Sequence, residues 1–464
     1  MILQGIASEI IDRRPGQRLS FILAFLSITF YVQISYFTDR AETPLLIGSY
    51  AILFLMYLLL SKSVLSFNFL IGFGILFRLI VLFSLPKLSD DFYRFFWDGI
   101  LVNNQINPFL YLPREIVENP LINIPNLTSE LFASLNSPDY HSVYPPVGQF
   151  VFWIAAKFAE GNIYIAVLIM KSFIFFAEMG TIFIMLKLLK IHNLKREYIY
   201  FYVLNPLIII ELTGNIHFDG FLIFFVLLSI YLLQKNNLAL SSAAFAFAIA
   251  SKLTPLLLLP LFLKQIKLSR IWIFYGLAIA ISAFLFWPFM GSALINGLSS
   301  SIGLYFQKFE FNASIFYIIR EIGFWVKGWD IIQTAGIWLA GITFTVILFV
   351  SFFGNSKKQN LLGIFIWPLF IYFAFASIVH PWYATPLIAF CLFSRYRFPL
   401  VWSFTIFLSY VGYSNEGFQE QYWLLFLEYI PVYAVMIYEL WKYRDVLVFK
   451  NPMPGIIHAL KESA

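Results

Sequence analysis

Membrane-length apolar runs follow one another along almost the whole chain, from residue 19 to residue 441. A run of roughly 20 apolar residues is long enough to cross a bilayer as a helix. Lipid offers the backbone no hydrogen-bond partners, so only helices and closed barrels can span it. These runs are continuously apolar and lack the alternation of a spanning β-strand. The expected fold is therefore all-α, a polytopic transmembrane helical bundle of roughly 12–14 membrane segments. The spans fall near 19–37, 44–61, 66–85, 162–190, 198–213, 217–234, 238–251, 255–264, 270–289, 333–353, 360–378, 383–395, 398–413 and 421–441.

Composition agrees. Of 464 residues, 60% are hydrophobic and 12% are charged, where a soluble domain carries about 25% charged residues. The 55 Phe are spread along the chain, so this is not a soluble domain with one anchor. The run at 19–37 is too long for a signal-peptide core and lacks a small-residue cleavage site, so it reads as a retained span. The lone Cys391 sits in an apolar run, can form no intrachain disulfide and reads as a small core residue. The net charge of +6 is spread over short connections, which speaks for membrane topology and against nucleic acid as a partner.

Lys and Arg cluster in "DRRPGQR", "KLLKIHNLKRE", "KQIKLSR", "NSKKQN", "RYR" and "WKYRDVLVFK". The spans above put all six on one side, and basic short loops mark the cytoplasm. The long connections 86–146 and 291–332 then face outward. That parity requires two short half-spans meeting at "SKLTP" (251–255), where Pro255 breaks the helix. "TGNIHFDG" (213–220) and "VHPWYATP" (379–386) form similar polar tips on the outer side. Non-helical backbone at membrane depth is tolerated where it lines a protein cavity, and ionisable residues there are costly and usually functional. Asp90, Asp91, His217, Asp219, Lys252 and His380 are thus expected to converge on one outward-facing cavity.

The chain contains no Walker loop and no HExxH, and no close His/Cys cluster that would read as a zinc site. What remains is an enzyme acting on lipid-linked substrates or a lipid or oligosaccharide flippase. Transporters often carry internal repeats, and none stands out here. The stretches 109–117 and 121–137 read as interfacial helices framing a lipid-accessible groove.

"SDDFYRFFWDGILVNNQINPF" (89–109) followed by "YHSVYPPVGQFVF" (140–152) resembles the first outer loop of the GT-C superfamily of membrane glycosyltransferases. More closely it resembles bacterial polyprenyl-phosphate-mannose-dependent mannosyltransferases. "LNPLIIIELTGNIHFDG" (204–220), "ASKLTPLLLLP" (250–260), "FNASIFY" (311–317) and "HPWYATPL" (380–387) follow in the same order. The resemblance covers residues 85–390 and implies a single transmembrane domain over 1–464. It divides into an added helix pair (1–62), a catalytic core (63–395) and C-terminal helices with a cytoplasmic tail (396–464).

The resemblance implies a multi-pass protein of the inner (cytoplasmic) membrane that moves a hexose, mannose by the likeness, from a polyprenyl phosphate to an acceptor hydroxyl. The acceptor is a glycolipid or glycan on the extracytoplasmic face, and transfer is inverting. Asp90 or Asp91 is the implied general base, with Asp90 favoured by its spacing to Tyr93. No cofactor is required, and a divalent metal at the two carboxylates stays open. Arg94, four residues after Asp90, would face it across one helical turn and keep it ionised. Ser89 and the two Asp also make an ordinary helix start. Asp98-Gly99 fits a helix-end turn, Tyr144-Pro145-Pro146 a rigid turn, and Gln149 either a sugar contact or a backbone cap. His217 and Asp219, two apart, meet a ligand together only on a non-helical tip. Lys252 is the leading phosphate ligand, with snorkelling as its alternative. His380 precedes an interfacial aromatic group, Trp382 and Tyr383, and the resemblance implies that Arg94, Tyr144, Gln149, His217, Asp219, Lys252 and His380 bind the donor's phosphate or sugar.

Overall fold

The structure is a computed structural model that describes residues 15–119, 121, 123–291, 294, 309–353, 360–414 and 416–443. The basic stretch 355–359, the whole 444–464 tail, and much of 291–332 up to residue 308 lie outside the described residues. The protein is all-α; among the described residues the strands are limited to a small hairpin of two two-residue strands, Tyr413–Ser414 and Gly417–Phe418. Six described helices are long and apolar enough to cross a membrane, and Pro206–Gly214 with Asp219–Gln234 qualifies as a pair bent by 108°. Phe67–Leu82, Leu238–Ser251, Leu361–Phe375 and Phe398–Gly412 are apolar but shorter. Several of the apolar runs are thus half-length or broken elements, as the polar tips require.

Helix α1 (Gln17–Val32) continues through a π-helical turn, Gln33–Phe37, and a short connector leads into α2 (Thr43–Ser61) and then α3 (Phe67–Leu82). Helix α4 (Asp91–Asn103) opens the long connection, which also holds the short helices Pro113–Glu118 and Ser129–Ala133 where interfacial helices were expected. The chain returns through α5 (Pro146–Ala159) and the long α6 (Ile163–Ile191). The broken pair follows as α7 (Pro206–Gly214) and α8 (Asp219–Gln234), then α9 (Leu238–Ser251).

Charged residues inside the bundle fix how α3, α6 and α7 pack. Arg78 of α3 donates to Glu178 of α6 at 2.8 Å and to the Gly74 and Val203 carbonyls at 3.0 and 2.6 Å. Thr213 donates to the other Glu178 oxygen. Lys171 of α6 donates to the carbonyls of Val81 and Ser84 at 2.8 and 2.6 Å, capping the end of α3. An unpaired charge at such depth costs a few kcal/mol, so these contacts select one register of three helices. The chain leaving the end of α3 reaches Asp90 eight residues later.

Helix α4 lies close against α5. A Cβ on Gly99 would stand 2.2 Å from the Phe152 carbonyl oxygen, so only glycine fits there. Phe95 and Phe152 stack beside it with centroids 4.6 Å apart. Asp98-Gly99 therefore lies inside a helix, at a helix–helix contact, and not at a helix-end turn. Cys391 is fully buried, as its apolar surroundings imply.

Candidate functional site

Asp90 is the last residue before α4, with φ −96° and ψ 3°. Ser89 Oγ accepts the Asp91 N–H at 3.3 Å from one residue ahead of the N-cap position, which Asp90 occupies without a side-chain cap bond. The Asp90 carboxylate, 37% exposed, meets Arg40 at 2.5 Å. Asn136 donates to Asp91 Oδ1 at 2.8 Å. Arg40 sits in the connector between α1 and α2, a place sequence reasoning passed over.

Arg94 does not face Asp90. It pairs with Asp98 one turn along at 2.8 Å and donates to the Ser137 and Tyr140 carbonyls at 3.1 and 2.8 Å. Asp98 also accepts from Ser142 and from Gln149 Nε2, the latter at 3.0 Å. Gln149 donates further to Ser142 Oγ at 3.0 Å and to the Tyr144 carbonyl at 3.3 Å. Arg94, Asp98 and Gln149 are buried. Together they pin residues 137–144 onto α4. Pro145 and Pro146 start α5 as a rigid turn does, and the Tyr144 ring packs edge-on against Phe95 at 4.8 Å. The structure thus gives Arg94 and Gln149 a loop-holding role and leaves Asp90 and Asp91 facing outward from that scaffold.

The second group of residues gathers at the break between α7 and α8. Ile216 sits there at φ +62°, an outlying conformation for a β-branched side chain and one that recurs at functional sites. His217 N–H is satisfied by the Glu211 and Leu212 carbonyls at 3.3 and 3.2 Å. At this break His217 stacks on Trp382 and Asp219 takes the Lys252 ammonium. Lys252 leaves α9 in extended conformation, φ −161° and ψ 145°. Its ammonium donates to both Asp219 oxygens, at 2.9 and 2.8 Å, and lies 4.2 Å from the centre of the Tyr383 ring. It does not snorkel away from the protein.

Trp382 is held between two imidazoles, with His217 3.6 Å and His380 4.3 Å from it centroid to centroid. His217 Nε2 stands 3.3 Å from Glu211 Oε2, and the Tyr410 hydroxyl donates to Glu211 Oε1 at 2.8 Å. Glu211 is fully buried. Its signal was present in the sequence: a carboxylate inside the apolar run "LIIIELTG".

The two groups are joined. Arg40 lies 4.8 Å over the Tyr413 ring, Tyr413 packs on Phe311 at 6.2 Å, and Phe311 packs on His380 at 4.6 Å. Leu88 N–H reaches Asn215 Oδ1 at 3.4 Å, tying the approach to Asp90 to the broken tip. Burial raises the pKa of Glu420, whose carboxylate accepts from Asn312 N–H and the Tyr317 hydroxyl at 2.7 and 2.9 Å. Among the described residues no group of three or more His, Cys, Asp or Glu is placed to hold a metal ion.

A profile of the family described as alpha-(1->6)-mannopyranosyltransferase, N-terminal domain, matches residues 27–267, just over half of the chain. The chain belongs to this family. Neither a curated protein nor a solved structure matches it. The matched stretch of this mannosyltransferase-family protein carries Arg40, Asp90, Asp91, Glu211, His217, Asp219 and Lys252, while His380, Trp382 and Tyr413 lie beyond it. Membership supports a membrane glycosyltransferase that transfers mannose.

Proposed function

We propose that this mannosyltransferase takes mannose from a polyprenyl-phosphate donor and transfers it, with inversion, to an acceptor hydroxyl on a glycolipid or glycan. The reaction takes place at the extracytoplasmic face of the cytoplasmic membrane. The family's description names an alpha-(1->6) bond, so the proposed acceptor group is a primary 6-hydroxyl. The observation that carries the proposal is Asp90. It is a part-exposed carboxylate at a helix start, fixed on one side by Arg40 and linked by contacts to a second polar group containing Lys252.

In the proposed step the acceptor oxygen attacks C1 of the mannosyl group as its proton passes to Asp90. The C1–O bond to phosphate breaks, and polyprenyl phosphate leaves. A positioned base of this kind contributes roughly 10²–10⁴ in rate, and a cation near the departing phosphate stabilises the charge that develops there. Lys252 is the proposed cation. Its side chain is 24% exposed, and an ammonium suits a monophosphate as a compact point charge. His217 and His380, stacked on Trp382, present polar edges for the sugar.

Sidedness is supported by how the ends of the bundle sort. Arg40, Asp90, Asn215 and Tyr413 meet at one end, where Tyr164 at the start of α6 donates to the Phe83 carbonyl at 3.0 Å. At the far end of α6, His192 meets Gln234 at 2.7 Å, and Arg397 lies 5.2 Å over Tyr198. The basic connectors 187–197 and 395–397 therefore sit away from the acidic end, as a cytoplasmic location for them requires.

The test is donor choice. Purified protein in liposomes receives radiolabelled polyprenyl-phosphate mannose or a nucleotide-linked mannose, with membrane glycolipids as acceptor. A new mannoside from the lipid donor alone is the expected result. Movement of the lipid between leaflets without a new glycoside would point to a flippase instead.

A further inference from the structure

We infer that Arg40 is a positioning residue for the transfer reaction, holding one oxygen of Asp90 so that the other is presented to the acceptor hydroxyl. The inference rests on Asp90 as the proposed base and extends its support to the helix pair α1 and α2, outside the loop that carries it.

The connector carrying Arg40 is built to aim it. Thr38 N–H and Oγ1 both donate to the Gln33 carbonyl, at 3.0 Å each, which closes the π-helical end of α1. Asp39 and Glu42 are the nearest carboxylates in sequence, yet neither takes the guanidinium. Asp39 Oδ1 accepts the Ala41 N–H at 3.0 Å, and Glu42 Oε2 accepts the Asp39 N–H at 3.0 Å. With both acids engaged by the connector's own backbone, Arg40 extends to Asp90, 50 residues away. Among the described residues Asp90 has no other side-chain partner, and only its Oδ2 is engaged. Its Oδ1 stays open.

Arg40 is itself steadied from a third part of the chain. Its guanidinium lies 4.8 Å over Tyr413, at the start of the small hairpin, and Tyr413 packs on Phe418 at 5.0 Å. The negative face of the phenol ring attracts the guanidinium and limits its swing. Asp90 is thus oriented by a residue from before α2 and a ring from beyond the helix Phe398–Thr405. Neither lies in the loop that carries it. Displacement of a reacting group by about 1 Å can cost on the order of 10² in rate, so loss of this clamp is expected to act on turnover and not on substrate binding.

The full-length protein is assayed as wild type, Arg40→Ala and Arg40→Lys, with polyprenyl-phosphate mannose as donor. Arg40→Ala is expected to lower kcat by on the order of 10²-fold, with donor and acceptor KM within about twofold. Added guanidinium ion should restore part of that rate, and should restore none in the Arg40→Ala/Asp90→Asn double variant. Arg40→Lys keeps the charge without the planar fork and is expected to lie between the two; it also serves if Arg40→Ala fails to fold. Wild-type kcat in Arg40→Ala, or a loss of rate that guanidinium does not relieve and that follows a lowered thermal midpoint, would overturn the inference alone. A wild type without turnover on the lipid donor would overturn the proposed function and this inference with it.

Discussion

Lys252 and Asp219 meet through two hydrogen bonds, 2.9 and 2.8 Å long, across 33 residues of sequence. Lys252 thus has a carboxylate partner before any donor arrives. A phosphate would join this pair, not fill a void.

Lys252→Met keeps the apolar stem and removes the charge. Asp219, 4% exposed, is then left without its cation. The stability loss should fall below the ~3–5 kcal/mol of a fully buried pair, because Lys252 is partly exposed. Donor affinity should fall well beyond acceptor affinity. Adding Asp219→Asn should recover the thermal midpoint and leave donor binding weak. Equal losses for donor and acceptor would reduce Lys252 to a structural partner.

Arg94 should behave in the opposite way. Both it and Asp98 are buried, at 2% and 0% exposure. Arg94→Met strands Asp98 and releases the Ser137 and Tyr140 carbonyls, at a cost of ~3–5 kcal/mol. Thermal unfolding should show that loss directly. A variant of unchanged midpoint with weakened donor binding would return Arg94 to the substrate.

Gly99→Ala tests the α4–α5 contact that carries the acidic helix. A new Cβ at 2.2 Å from the Phe152 carbonyl forces backbone movement, and overpacking of this kind costs ~1–3 kcal/mol. The midpoint should drop, and turnover should drop with it, since Asp90 and Asp91 begin the same helix.

Much of this architecture was legible in the sequence. Apolar run length fixed the all-helical membrane class, and Pro255 and "TGNIHFDG" marked breaks that the structure shows at Lys252 and Ile216. Pairing was not legible. Arg94 and Asp90 have the right spacing, but Asp98 has the same spacing on the other side, and a buried carboxylate inside the helix outcompetes a part-exposed one at its start. Arg40 lies in an unremarkable polar connector, and only the packing of α1 and α2 brings it to Asp90. Glu211 could have been found, because an acid within an apolar run demands a partner. Its partners, Tyr410 and His217, come from distant segments that no local pattern joins.

Sidedness can be read with single cysteines in a Cys391→Ser background. Cys391 is fully buried, so its own thiol should give little labelling background. Glu130→Cys, in the exposed short helix of the long connection, should react with an impermeant thiol reagent from outside intact cells. Lys190→Cys, exposed at the far end of α6, should react only after permeabilisation. The reverse pattern would move the site to the cytoplasm and favour a nucleotide-linked donor.

The most direct measurement is turnover of Asp90→Asn and Asp91→Asn on radiolabelled polyprenyl-phosphate mannose, with thermal midpoints taken alongside. Asp90→Asn keeps the shape of the side chain and removes its ability to take a proton. It is expected to lower kcat by roughly 10²–10⁴-fold, with a midpoint close to wild type because Asp90 is part-exposed. Asp91→Asn keeps an oxygen for Asn136 and is expected to cost less. Full turnover in both single variants would contradict a carboxylate base at the start of α4.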